Sequence, residues 1–202
     1  MTRKFSPIIV NVLILILVIS CSSTKQVSRI GVNTTTDLSG RWNDTDSRMV
    51  AGKMIKDVLG KTWLTDFVAK NGRNPVVIVG TVRNKSNEHI NVETFIKDIE
   101  RELINSGQVK FVAARKQREE LREERLEQQS YASEETVKKL ANETGADFML
   151  QGTLNSIEDT IKGKKVIYYQ TDLELIHLET NEKVWMGTEK IKKFISQKKF
   201  KS

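Results

Sequence analysis

The chain has one cysteine, two prolines and two histidines in 202 residues. A single cysteine excludes an internal disulfide. Neither His89 nor His177 has a neighbouring His or Cys to build a metal site with, so no metal ligand set is read. The prolines, Pro7 and Pro75, are too few for an extended proline-rich spacer. No Gly-x-Ser-x-Gly elbow occurs, and Val79-Gly80-Thr81 offers only one glycine after a strand-like run, so no phosphate loop is read. The many carboxylates single out no acid-base pair. The catalytic, cofactor and metal sets are therefore all empty. His89, in a loop, is read as a structural hydrogen-bonder, and His177 as a packed or edge residue. A binding protein fits these absences better than an enzyme.

The one cysteine is well placed. Arg3 and Lys4 precede an apolar run from Val12 to Ile19, and Val18-Ile19-Ser20-Cys21 ends it. The run is far shorter than the roughly 20 residues of a membrane span. A plain secretory signal more often ends in an Ala-x-Ala-like site. The pattern resembles the lipobox of bacterial lipoproteins, which implies a signal peptide over 1–20 and lipidation at Cys21. Ser22 and Ser23 follow, and by resemblance to Gram-negative sorting rules the lack of Asp there favours the outer membrane, with the domain facing the periplasm. Loss of Arg3 and Lys4 lowers the net charge from +7 to +5. Export argues against nucleic acid as the partner of this basic chain. It favours anionic lipid head groups, lipopolysaccharide or an acidic protein surface.

Residues 22–37 are polar and rich in Ser and Thr, and the tether is placed at 21–43. Sixteen such residues reach roughly 55 Å fully extended and roughly 20–25 Å when relaxed. The basic C-terminal tail is placed at 194–202. The acid-free lysine run that leads into it from Lys190 is read as frayed, with a membrane-surface or partner contact as the alternative.

Between them, 44–193 reads as one α/β domain with a mixed sheet and packed helices. Apolar spacing from Val50 to Val68 predicts a helix capped by Asp46 or Ser47, weakened at Gly60 and ended by Asn71-Gly72. Pro75 to Val79 reads as a buried strand followed by a polar loop through Asn87. Asn91 caps a helix with the stripe Phe95, Ile96, Ile99 and Leu103, stopped at Ser106-Gly107. Val109 to Ala113 is a second strand, so the unit is a parallel βαβ crossover. Residues 115–128 form a charged helix with Leu121 and Leu126 buried, and Lys116/Glu120 and Arg115/Glu119 four apart. Ser133 caps a helix ending at Gly145. Three antiparallel strands follow, with turns at Lys162-Gly163-Lys164 and Thr180-Asn181. Val77, Val79, Phe95, Ile99, Leu103, Phe148, Leu150, Leu173 and Leu175 are expected to share one core.

Several segments together resemble a known family. They are Asn74 to Gly80, Asn84 to Ile90, Ser106-Gly107 with Val109 to Val112, Glu127-Gln128-Gln129, Thr144 to Gly152, Lys183-Val184-Trp185, and Glu189 to Lys193. In order and number they resemble the LpoB family of penicillin-binding-protein activators. The resemblance covers about 44–193. It implies an outer-membrane lipoprotein with a domain like the N-terminal domain of TolB. It also implies binding to a bifunctional class A penicillin-binding protein, stimulation of glycan polymerisation and cross-linking, and no enzyme activity. Well-known enterobacterial members carry a long proline-rich tether, which this chain lacks. Gly80, Gly107, Gly145 and Gly152 are read as backbone-geometry positions, not contacts. The outward row Tyr168, Gln170, Asp172 and Glu174 is the candidate partner surface, unless another helix covers it. The alternative function is a lipoprotein using this domain as an adaptor in another cell-envelope assembly.

Overall fold

The computed structural model describes residues 25–113, 115–129 and 145–196. The expected signal peptide, Cys21, the helix from Ser133 and the residues after Ser196 lie outside the described residues. Residues 25–34 belong to a separate unit and contain one turn, closed by Thr34 N–H to the Gly31 carbonyl at 2.9 Å. The second unit begins at Thr35.

Its elements run α1 (Asp44–Leu59), α2 (Thr62–Asn71), β1 (Val76–Asn84), α3 (Val92–Asn105), β2 (Lys110–Phe111), α4 (Arg115–Gln129), β3 (Phe148–Ile161), β4 (Lys164–His177) and β5 (Lys183–Ser196). The sheet order is β2-β1-β3-β4-β5. β1 pairs parallel with both β2 and β3, and β3, β4 and β5 form an antiparallel meander. The mixed sheet, the parallel crossover and the two hairpins are those read from the sequence. Among the described residues no helix is long and apolar enough to cross a membrane.

All nine residues expected to share a core do so, with Val50, Met54, Val58, Trp63 and Trp185 added. In α3 the four-residue spacing of Phe95, Ile99 and Leu103 makes one stripe, and all three are buried. On β4 the strand period sends Ile167, Tyr169, Thr171, Leu173 and Leu175 inward. Gly152 is required where β3 meets β4: a Cβ there would collide with the Asp172 carbonyl and lie 2.6 Å from Leu173 Cδ2.

Several expectations are corrected. The first long helix is two helices. At Gly60 the chain leaves the helical path, and α2 restarts from Lys61 without a side-chain cap. The cap of α1 is Asn43, not Asp46 or Ser47. Asn43 Oδ1 accepts from Asp46 N–H, and Asp46 Oδ2 accepts from Asn43 N–H, a reciprocal capping box. β1 continues through the expected loop to Asn84, because pairing with β3 resumes after an irregularity between Val79 and Val82. Leu121 is 48 % exposed, not buried. Among the described residues nothing lies within 4 Å of a Cβ built on Gly145, and its backbone is not left-handed, so they impose no geometric requirement there. Gly107, by contrast, holds φ 65° after α3.

The ends differ most. Residues 36–43, read as tether, form a strap packed on the domain. The Trp42 ring meets Phe95 and Tyr169 edge-on at 6.2 and 5.5 Å. The lysines from Lys190 to Lys193 are not frayed, since β5 pairs with β4 as far as Ser196. Alternating Ile191 and Ile195 face the packed side and keep the strand there.

Candidate functional site

The strand period that turns Leu173 and Leu175 inward turns Tyr168, Gln170, Asp172 and Glu174 to the opposite face. All four are half-buried. They are linked along and across the sheet. Tyr168 OH donates to Gln170 Oε1 at 3.2 Å, and Gln170 Nε2 donates to both Asp172 oxygens at 3.0 and 2.9 Å. Thr188 Oγ1 on β5 donates to Asp172 Oδ1 at 2.7 Å. Gln151 Nε2 on β3 donates to Glu174 Oε1 at 2.7 Å, and Lys183 Nζ sits 2.6 Å from Glu174 Oε2. The Lys183 contact, then the Gln151 bond, hold the Glu174 carboxyl below its usual range.

Gln170, Asp172 and Glu174 floor an open groove of about 410 Å³, and Tyr168 lies outside its lining. Its lining comes only from strands, with Thr81 and Arg83 of β1 on one side and Met186 and Thr188 of β5 on the other. Among the described residues no helix covers the row. The arrangement is a polar, pre-ordered surface whose hydrogen-bonding groups are fixed before a partner arrives, which lowers the ordering cost of association.

The two histidines take no catalytic geometry. His177 stacks edge-on to Phe148 at 4.9 Å, and its Nδ1 accepts from Thr180 N–H at 3.3 Å, the packed position expected. His89 is exposed and makes no hydrogen bond among the described residues, which corrects the structural role expected for it. The described residues contain no group of three or more His, Cys, Asp or Glu that could hold a metal.

Three polar clusters escape sequence reading. Lys193 Nζ lies 2.6 Å from Asp46 Oδ2, 2.7 Å from Asp37 Oδ1 and 3.0 Å from the Arg41 carbonyl. Burial works against this ammonium, but the Asp37 and Asp46 carboxylates outweigh it and raise its pKa. Tyr169 OH donates to Glu88 Oε1 at 2.6 Å, and both Glu88 and Tyr169 accept from Trp42 N–H. Arg73 grips Asp147 with two bonds of 2.8 Å, and Asp147 Oδ2 also accepts from Val76 N–H at 2.7 Å. No sequence pattern joined their members. The residues they join are 46 to 156 positions apart.

The Arg73 bond holds the Asp147 carboxyl below its usual range. Its stabilisation is therefore present above the unfolded carboxylate range and is lost as pH falls through the folded value. Asp147→Asn is expected to cost about 1–2 kcal/mol at neutral pH, at the low end because Arg73 is half-exposed. Urea titrations of both proteins from neutral pH to below pH ~4 should show the gap closing, since acid removes the same charge from the native protein. A gap of constant size would reject this role.

Residues 46–191 match the model of the family described as peptidoglycan-synthase activator LpoB. No curated protein sequence matches the chain. Among solved structures, the LpoB C-terminal domain from Escherichia coli is similar at 19 % identity and a TM-score of 0.43, covering 75 % of this chain and 99 % of that one. The solution structure of E. coli LpoB aligns at 15 % identity and a TM-score of 0.40, covering 98 % and 89 %. Lipoprotein GNA1162 from Neisseria meningitidis aligns at 15 % identity and a TM-score of 0.38, covering 59 % and 83 %.

Proposed function

Because the chain belongs to the LpoB family of peptidoglycan-synthase activators, we propose that it binds a bifunctional class A penicillin-binding protein and stimulates its polymerising and cross-linking activities from a lipid anchor on the outer membrane. The family match over most of the domain carries this reading. The reading needs no chemistry from the chain itself, and the described residues offer a surface instead. The ordered row Tyr168, Gln170, Asp172 and Glu174 is the proposed contact, with Tyr168 as its aromatic member, a residue type enriched at interface hot spots.

The test uses residues 22–202, the cognate synthase and lipid II. Saturating domain should raise the polymerisation rate, and Tyr168→Ala should weaken the complex by more than about 1 kcal/mol. An unchanged rate with no detectable complex would leave the adaptor role in another envelope assembly as the reading. Activation with unaltered affinity in the variant would move the contact to another face.

The anchor is tested separately. Cys21→Ser should abolish palmitate incorporation and release the protein from the membrane fraction. Normal labelling of that variant would place the modification elsewhere.

A further inference from the structure

The far end of the β3–β4 hairpin carries an unusual combination of side chains. On the face opposite the helices, Ile157, Ile161 and Phe194 are 67 %, 71 % and 64 % exposed. The ladder places them together. Ile157 is opposite Tyr168, which is opposite Lys192, and Val166 is opposite Phe194. Diagonal neighbours on a sheet are close enough for such side chains to touch, so Ile157, Val166 and Phe194 form one apolar strip that stops at Tyr168. Lys162, Lys164 and Lys192 border it, and none of them makes an ion pair among the described residues. Asp159 is the one acid within it.

The same end receives the N-terminal strap. Gly40 lies against Ile195, Lys193 holds Asp37, and Ser39 and Arg41 line a cleft with Ile161, Gly163 and Lys164. Between Asp37 and Ser39, Leu38 is 94 % exposed. A monomeric soluble surface has no use for large apolar side chains gathered at one end. An apolar cluster bordered by cations is the composition that inserts into the head-group region of an anionic bilayer.

We infer that this hairpin end is a docking surface for an anionic phospholipid membrane, reached by Ile161, Phe194 and Leu38 inserting while Lys162, Lys164 and Lys192 meet lipid phosphates. Charge complementarity selects the bilayer over an apolar protein groove. Position supports it. If Cys21 carries the anchor, as proposed above, the folded unit begins fourteen residues later in the sequence, at Thr35. An anchor on the same chain raises the effective concentration of the patch at a membrane, so weak intrinsic affinity suffices. Docking by this end leaves the groove between Arg83 and Met186, farther along the same face, open to a synthase.

The test is co-sedimentation of the unlipidated chain 22–202, which contains every described residue, with vesicles of phosphatidylethanolamine and phosphatidylglycerol or of phosphatidylcholine alone. Binding to the anionic vesicles should exceed that to the neutral ones at least tenfold and fall as salt rises. Each lysine near such a surface contributes about fivefold, so Lys164→Glu with Lys192→Glu should reduce binding by twentyfold or more. Ile161→Asp with Phe194→Asp should bring it to the neutral-vesicle level, with an unchanged melting temperature and unchanged synthase activation in detergent. Equal binding to both vesicle types, or no binding, overturns the inference. So does full vesicle binding by the Ile161/Phe194 variant. Loss of synthase activation in that variant with vesicle binding intact would assign the patch to protein contact instead.

Discussion

Lys193→Met should lower the unfolding free energy by about 3 kcal/mol. The Lys193 side chain is 11 % exposed and that of Asp46 is 6 % exposed, so the substitution leaves a buried carboxylate without its cation. Asp46 keeps the N–H of Asn43, which holds the loss short of a fully orphaned charge. Asp37 is half-exposed, and Asp37→Ala should cost less than about 1 kcal/mol. The two effects separate the buried half of the cluster from its surface half. Urea denaturation gives the energies. Intrinsic fluorescence should also shift to longer wavelength in the methionine variant, as Trp42 loses the strap's clasp while Trp63 and Trp185 stay buried. A change below ~1 kcal/mol with unaltered emission would mean that the strap is held by Trp42 packing alone.

Leu103→Ala should destabilise by about 2–5 kcal/mol, since the side chain is fully buried at the end of the α3 stripe and a cavity would remain. Leu121→Ala is its control. Leu121 is exposed, so that change should stay within about 0.5 kcal/mol. Thermal or urea melts decide between them. Equal effects would contradict the burial pattern that defines this core.

Periodicity carried the reading of α3 and the meander because each has one wet and one dry face. The stripe Phe95, Ile99, Leu103 and the alternation from Ile167 to Leu175 both survive in the structure. The same logic misplaced Leu121, because the other leucine of this charged helix, Leu126, stands five positions on, roughly 140° around the helix and off the same face. It also missed the strap. One tryptophan in a polar run has no period, and its partners Phe95, Glu88 and Tyr169 are known only after the chain has folded. β1 was read too short because Gly80 ends the apolar run, yet backbone pairing to β3 continues past it regardless of side chain. For the candidate site, alternation gave the facing of Tyr168 to Glu174. The cross-strand bonds from Gln151, Thr188 and Lys183 depend on register, which a sequence does not display.

The packing of α1 has a temporal side. Its buried face and its capping box depend on β5: Trp185 Nε1 donates to Asp57 at 2.8 Å, and Lys193 reaches Asp46 across 147 residues of chain. The meander of β3, β4 and β5, by contrast, closes through two short turns. Local contacts form early and distant ones late. A ribosome, or any channel that passes the chain N-terminus first, therefore delivers α1 and α3 long before β5 can close over α1. α3 can pack on α1 as soon as it emerges, but the bonds that Asp57 and Asp46 accept must wait for Trp185 and Lys193 of β5. For this architecture the core closes in two steps, helix on helix and then β5 on α1.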